Sequence, residues 1–264
     1  MIKSFSPNEL ELGSTDMSKK TGIPIPTAYR ILSTFAEADL LEKNVKTGKY
    51  KIGPAFYALG SLYLSTIDVT KVAEPVIKML NNLTNEAVTV AILNKGNIVL
   101  VMEEESKYSF RFADHIGSIY PAYATAVGKM LLSELTETEL DGLYPEERLE
   151  PVTKKTIATK TELKIELEQI RKTGVAFNSE GTFEGAEAIG CAIRDASGRI
   201  VAAIGLPVPL FRMNQTNRER IATLVRLGSS LVSYRLGYQD PVNPVRDIEE
   251  IRSWWEQNRI DSTS

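Results

Sequence analysis

Residues 21–53 read TGIPIPTAYRILSTFAEADLLEKNVKTGKYKIG, and this stretch decides the fold of the N-terminal part. Just ahead of it, Ser14-Thr15-Asp16 offers hydroxyl and carboxylate caps for a short helix, DMSKKT, which Gly22 breaks. Pro24 and Pro26 set up a second helix, with Pro26 suited to its first position. That helix turns Ile31, Leu32 and Phe35 toward a core and leaves Thr27, Tyr29, Arg30 and Ser33 wholly or partly outside. The alternation on either side of Lys46-Thr47-Gly48 predicts a hairpin, crowded by Lys43, Lys46, Lys49 and Lys51. A lysine-rich hairpin alone is ordinarily just a solvated surface. Helix, glycine turn, helix and basic hairpin in that order carry more. They supply a helix for the major groove, a helix N-terminus facing phosphates and a basic wing for the backbone. The candidate DNA contacts are Thr27, Tyr29, Arg30 and Ser33 on the helix and Lys46 and Lys49 in the wing.

Charge follows the same division. The chain has 264 residues and a net charge of −3, yet residues 1–53 hold eight Lys/Arg against six Asp/Glu. A mildly basic head therefore sits on an acidic body. With 43% hydrophobic and 25% charged residues, the composition is that of a globular protein. No apolar run approaches the ~20 residues that span a bilayer, and no secretory signal opens the chain. One cysteine, Cys191, excludes an intramolecular disulfide and a thiolate metal cluster. One histidine, His115, excludes two-histidine metal sites, and no nucleophile–base pair is evident. These features predict a cytoplasmic protein with no membrane association, no catalytic residues, no metal site and no cofactor.

Beyond residue 53, PAFYALGSLYLSTIDV has the spacing of a helical connector, and DVTKVAEPVIKMLNNLT that of a helix kinked or bounded at Pro75. AVTVAIL and NIVLVMEE flank Asn94-Lys95-Gly96-Asn97, a hairpin signal, and YSFRFA is read as a third strand. AYATAVGKMLLSEL after Pro121 predicts a helix opening near Ala124, and TKTELKIELEQIRKTG an amphipathic helix stopped by Gly174. EAIGCAIRD and RIVAAIGLPV form a second hairpin across Ala196-Ser197-Gly198, before a last long helix, QTNRERIATLVRLGSSLVSYRLG. Antiparallel hairpins beside helices define an α+β fold.

At this point the chain resembles the IclR-type family of bacterial transcriptional regulators over roughly residues 5–238. In the head the likeness rests on residues 21–53, with a TGxYxLG-like wing. In the body it rests on PAYATAVGKMLL, on the segment KTELKIELEQIRKTGVAFNSE and on the hairpins ending IVAAIGLPVPLFR. The resemblance implies a winged helix-turn-helix DNA-binding domain at 1–53 and a linker helix at 54–68. A GAF-like α/β effector-binding domain with an antiparallel sheet follows at 69–238, then a C-terminal extension at 239–264. It implies a dimer or tetramer on double-stranded operator DNA, regulating a metabolic operon in response to a small organic effector. The family's full first helix is not seen; only Ile2 to Phe5 look like its last turn, as if that helix were truncated.

The resemblance places the effector on Thr125, Ala126, Val127, Asn178, Ala188, Gly205 and Pro207. Ala188, Gly205 and Pro207 bring no side-chain donor, which favours a ligand larger and more apolar than a small keto-acid. An aromatic or alicyclic acid, or its uncharged derivative, fits, its polar end held by Asn178, Thr125 and the amides near Ala124. Ser at Gly205 and Cys at Ala188 are expected to shift preference toward smaller acids. Of the other notable residues, Cys191 is read as a small core hydrophobe and His115 as a loop residue. Glu103-Glu104-Glu105 is read as a solvated turn, and Trp254-Trp255 as packed on the body or on another subunit. A GAF-like ligand-binding protein or enzyme without specific DNA binding stays open as an alternative. So does a modulator acting through mixed oligomers with a full-length homologue.

Overall fold

The computed structural model describes residues 1–6, 9–65, 68–112, 114–239 and 245–258, and of residues 61–65 and 68 the backbone alone. The chain divides into two compact units, Met1–Ile67 and Asp68–Ser264.

In the first unit, Ile2–Ser4 is one 3₁₀ turn. Helix α1 spans Ser14–Thr21. Its cap is Gly13, whose N–H donates to the Asp16 carboxylate at 3.0 Å. Ser14 and Thr15, expected as caps, lie inside the first turn, because the Asp16 side chain reaches back three residues. Gly22 ends the helix at φ 72°, a left-handed conformation that a Cβ disfavours. Helix α2 spans Ile25–Glu37, with Pro26 at its second position rather than its first. Ala28 and Leu32, one turn apart, are fully buried with Leu12, Met17, Leu41 and Tyr50; Ile2, Phe5 and Phe35 pack around them. Strands β1 (Leu41–Lys43) and β2 (Tyr50–Ile52) pair antiparallel. Leu12 exchanges two main-chain bonds with Tyr50, at 2.9 and 3.0 Å, and so joins a third segment to the hairpin through a single bridge. Helix α3, Ala55–Ser65, follows.

The second unit opens with α4 (Asp68–Thr84), which runs on through Pro75 without a boundary. Strands β3 (Val88–Asn94) and β4 (Asn97–Glu104) form the expected hairpin. Lys95 and Gly96 both have positive φ, 49° and 79°, as a two-residue turn of this hand requires. Strand β5 is Ile119–Pro121 and occupies the outer edge of β4. Residues 108–112, read from the sequence as a third strand, form none: 108–110 are bends and 111–112 are irregular, and the strand that follows β4 is Ile119–Pro121; Ala113 lies outside the described residues. After a 3₁₀ turn at Ala122–Ala124 comes α5 (Ala126–Leu132), then α6 (Glu137–Leu143) and α7 (Lys160–Thr173). Thr159 and Glu162 cap α7 reciprocally and Gly174 closes it at φ 70°. Strands β6 (Ala176–Ser179), β7 (Ala186–Arg194) and β8 (Ile200–Pro209) precede α8 (Gln215–Arg235) and α9 (Ile248–Gln257).

The sheet order is β5-β4-β3-β8-β7-β6, every pair antiparallel. Helix α8 packs on β7, β8 and α4. It comes close at Gly228, where a Cβ would lie 2.8 Å from a methyl of Leu80. Helix α9 packs on α8: the Arg220 guanidinium lies 3.4 Å from the Trp255 ring centre and donates to the Trp255 carbonyl. The tryptophan pair is thus half-buried on the body, as its sequence context suggests. Among the described residues, no helix is long and apolar enough to cross a membrane.

Candidate effector cavity and DNA-contacting face

Strand alternation sends every second residue to one face of the sheet, and the register then lines up residues far apart in sequence. Asn178, Ala188 and Pro207 form one row across β6, β7 and β8. Gly190, Gly205 and Thr89 form the next row across β7, β8 and β3. The start of α5 settles onto the glycine row. A Cβ at Gly190 would lie 2.7 Å from the Ala126 carbonyl carbon, and one at Gly205 2.6 Å from a Val127 methyl. All seven positions named from the sequence meet in one cavity: Thr125, Ala126, Val127, Asn178, Ala188, Gly205 and Pro207. Its free volume is about 50 Å³, room for a few waters.

Two details depart from the sequence reading. Gly205 does not supply volume; the Val127 methyl and Thr89 hydroxyl already fill the space above it, so a serine there would clash. And α5 opens at Ala126, not Ala124, because Thr125 is its cap, accepting the Gly128 N–H at 2.9 Å.

The sequence reading also missed part of the wall. Asp114, Tyr120, Thr182 and Phe183 line the cavity. The Tyr120 hydroxyl donates to Asp114 Oδ1 at 2.5 Å. Tyr120 meets the edge of Phe183 with centroids 5.7 Å apart, and Phe112 stacks on Phe183 at 5.5 Å. Phe110 and Phe211 continue the chain of rings outward. The aromatic run at residues 108–112 was the available signal, and it reads equally as a strand.

The polar side chains are mostly engaged with the protein itself. The Asn178 amide donates to the Ala124 carbonyl at 2.9 Å and to Thr182 Oγ1 at 3.3 Å. Thr182 donates to the same carbonyl at 2.5 Å, Thr125 to the Ala122 carbonyl at 3.4 Å and Thr89 to the Gly205 carbonyl at 3.4 Å. Burial raises the Asp114 carboxyl, against the Tyr120 hydrogen bond and the nearby His115. Glu103 is no solvated turn residue. It lies in β4 opposite Thr89, half-buried. Burial, with the charges of Asp114 and Glu105, pushes its carboxyl up to about 7. Cys191, buried in β7, has its thiol pushed up to about 12 by burial, as suits a core residue.

A carboxyl with its folded pKa above its unfolded one takes up a proton on folding between those two values. Stability should therefore fall as pH rises from about 4.5, the ordinary value of a glutamate carboxyl, through about 7, the value Glu103 takes in the fold. Glu103→Gln should raise the melting temperature at pH 8 and leave it nearly unchanged at pH 5. A variant no more stable than wild type at pH 8 would show that Glu103 carries no such strain.

On the head, Thr27, Tyr29, Arg30 and Lys46 are exposed, and Arg30 and Lys46 form no ion pair among the described residues. Ser33 is half-buried and shares a hydrogen bond with the Tyr50 hydroxyl at 3.1 Å, tying α2 to the wing. Lys49 is exposed but lies 3.6 Å from Asp16. Lys43 sits between the Tyr29 and Tyr50 rings, 5.4 and 5.6 Å from their centres. The loop between β1 and β2 is braced by Asn44, whose Oδ1 accepts the Lys46 and Thr47 N–H groups.

A winged helix-turn-helix unit and a separate sheet domain with a cavity over its sheet together define a ligand-responsive DNA-binding protein. The comparisons agree. Residues 61–234 match the family model for the bacterial transcriptional regulator IclR C-terminal domain, and residues 1–45 that for the IclR helix-turn-helix domain. The chain is 33% identical over 228 residues, 86% of its length and 84% of the relative's, to the HTH-type transcriptional repressor AllR of Salmonella typhimurium. A regulator structure from Rhodococcus sp. RHA1 superposes with a TM-score of 0.77 at 26% identity, covering 89% of this chain and 94% of that one. An IclR homologue from Microbacterium hydrocarbonoxydans, complexed with 4-hydroxybenzoate, has the same fold: TM-score 0.76, 19% identity, 89% and 95% covered. The chain belongs to the IclR family of bacterial transcriptional regulators. It is a DNA-binding regulator switched by an effector of its C-terminal domain.

Proposed function

We propose that the cavity over the Asn178–Ala188–Pro207 row is the effector site, and that Thr27, Tyr29, Arg30, Ser33, Lys46 and Lys49 form the contact with double-stranded operator DNA. The observation that carries the first part is convergence: seven positions chosen from three separate sequence blocks line one cavity. The protein is no enzyme, works in the cytoplasm without a cofactor, and controls a metabolic operon. The effector has an apolar body, in the size range of the 4-hydroxybenzoate held by the Microbacterium relative. About 50 Å³ must enlarge to admit it. The Tyr120–Phe183–Phe112 wall, made of side chains, can yield where the sheet cannot. In this reading residues 1–53 are the DNA-binding domain, 54–68 the linker, 69–238 the effector domain and 239–264 a C-terminal extension.

The test is a gel shift on the DNA flanking the protein's own gene, with and without candidate effectors. Ala188→Phe should keep DNA binding and abolish the ligand response; a response that survives it would place the effector elsewhere. The protein is also a homodimer or homotetramer. One head presents a single recognition helix, and two-fold symmetry doubles the contacts on half-sites one helical turn apart or a multiple of it. Light scattering at micromolar concentration should give two or four times 29.3 kDa. A tightly DNA-binding monomer would refute this.

A further inference from the structure

The effector cavity contains an acid, and no Lys, Arg or His is among the residues that line it. Its one charged side chain is Asp114. An anion brought here meets a like charge and no counter-charge among the lining residues, in a setting where desolvation makes both costly.

The hydrogen-bond inventory points the same way. Every side-chain donor on the wall is already engaged by an acceptor of the protein. Tyr120 is held by Asp114, Thr89 by the Gly205 carbonyl, Thr125 by Ala122, and Asn178 and Thr182 by Ala124. Acceptors remain. Asp114 receives Tyr120 on Oδ1, and its Oδ2 receives nothing among the described residues. The hydroxyl oxygens of Thr89 and Tyr120 keep lone pairs. A ligand that donates hydrogen bonds finds partners without disturbing the wall. A carboxylate, which only accepts, finds no side chain to serve it. Its remaining recourse would be the two backbone N–H groups at the start of α5, Ala126 and Val127. Gly190 backs the second of these, since a Cβ there would lie 2.9 Å from the Val127 nitrogen. The third amide is capped by Thr125.

We infer that the effector is an uncharged, donor-bearing molecule, such as a carboxamide, recognised through its N–H groups by the free oxygen of Asp114, and that the corresponding carboxylic acid is rejected. This rests on the reading of the cavity as the effector site. It departs from the chemistry of the 4-hydroxybenzoate complex in the charge of the ligand, not in its apolar body.

Matched pairs test it on the full chain at pH 7.5 by calorimetry: 4-hydroxybenzamide against 4-hydroxybenzoate, and propionamide against propionate. The amide of at least one pair should bind at least about tenfold tighter than its acid. Asp114→Asn should bring that ratio to within about threefold by weakening the amide and admitting the acid. The wild-type comparison needs no variant, so a poorly folding Asp114→Asn would not protect the idea. Tyr120→Phe, which leaves both Asp114 oxygens open, should keep the amide preference. Ala188→Phe separates the two levels of the argument. If binding is lost in Ala188→Phe but the acid binds as well as the amide or better, the cavity reading stands and this inference is overturned. If neither member of either pair binds, or binding ignores Ala188→Phe, the cavity reading fails and the inference falls with it.

Discussion

Exchanging Arg30 and Lys46 together for alanine is expected to weaken operator binding by about a hundredfold at physiological salt. Arg30 lies on the exposed face of α2 with no carboxylate paired to it among the described residues, so its guanidinium is available to a base edge or a phosphate. A base contact is worth about 1–3 kcal/mol, and the loss should relax sequence preference at one position. Lys46 stands at the tip of the wing, where its backbone is fixed by Asn44 and its ammonium forms no ion pair among the described residues. Losing it should weaken binding to all sequences alike and lower the salt slope by about 0.9. Lys49→Ala should cost less, because its ammonium already lies near Asp16. Fluorescence anisotropy across a salt series reads all three effects. Wild-type affinity in both Arg30→Ala and Lys46→Ala would remove α2 and the wing from the interface.

The second large effect belongs to Gly190. A methyl at this position would come within 2.7–2.9 Å of three main-chain atoms of Ala126 and Val127. Main chain cannot swing aside as a side-chain tip can, so Gly190→Ala must push α5 off the sheet. Overpacking of this kind costs about 1–3 kcal/mol. At roughly 2–4 °C per kcal/mol for a domain of this size, melting should fall by about 2–12 °C. The same displacement opens the floor of the cavity, so ligand binding should disappear while the variant is still folded at 20 °C. Gly205→Ala should be milder, since it meets only the ends of Val127 and Thr89. If Gly190→Ala melts with the wild type, the close seating of α5 is not what holds this face together.

Local signals made most of the fold legible. The glycine turn at Gly22, the Asn94–Asn97 hairpin and the Thr159 and Gly174 limits of α7 each rest on one or two residues whose backbone demands are strong. Boundaries slipped where two groups competed for the same job. Asp16 took the capping role from Ser14, and Thr125 took it from the residues before it. The third strand was misplaced because Tyr108 to Phe112 has strand composition, while its rings are used against Phe183 and Phe211. In the cavity, the rows through Ala188 and Gly205 were reachable through family likeness, since register carries them. Asp114 was not. It lies in a loop, and only the turn leading into β5 brings it against Tyr120. Gly205 shows a different failure: the absence of a side chain reads as empty space in sequence, whereas here it marks two elements in contact.

The docking of α9 has a practical consequence for following this molecule by light. The chain contains two tryptophans, Trp254 and Trp255, and both lie in that helix. The ring of Trp255 is stacked under Arg220 of α8, so its emission is tied to the integrity of one helix pair at the far end of the sequence. The winged head has only tyrosine and phenylalanine as chromophores. Intrinsic emission excited at long wavelength will therefore report when α9 leaves α8, and will be blind to the melting of the head. A red shift that precedes the loss of helical circular dichroism would identify α9 as the first element to detach.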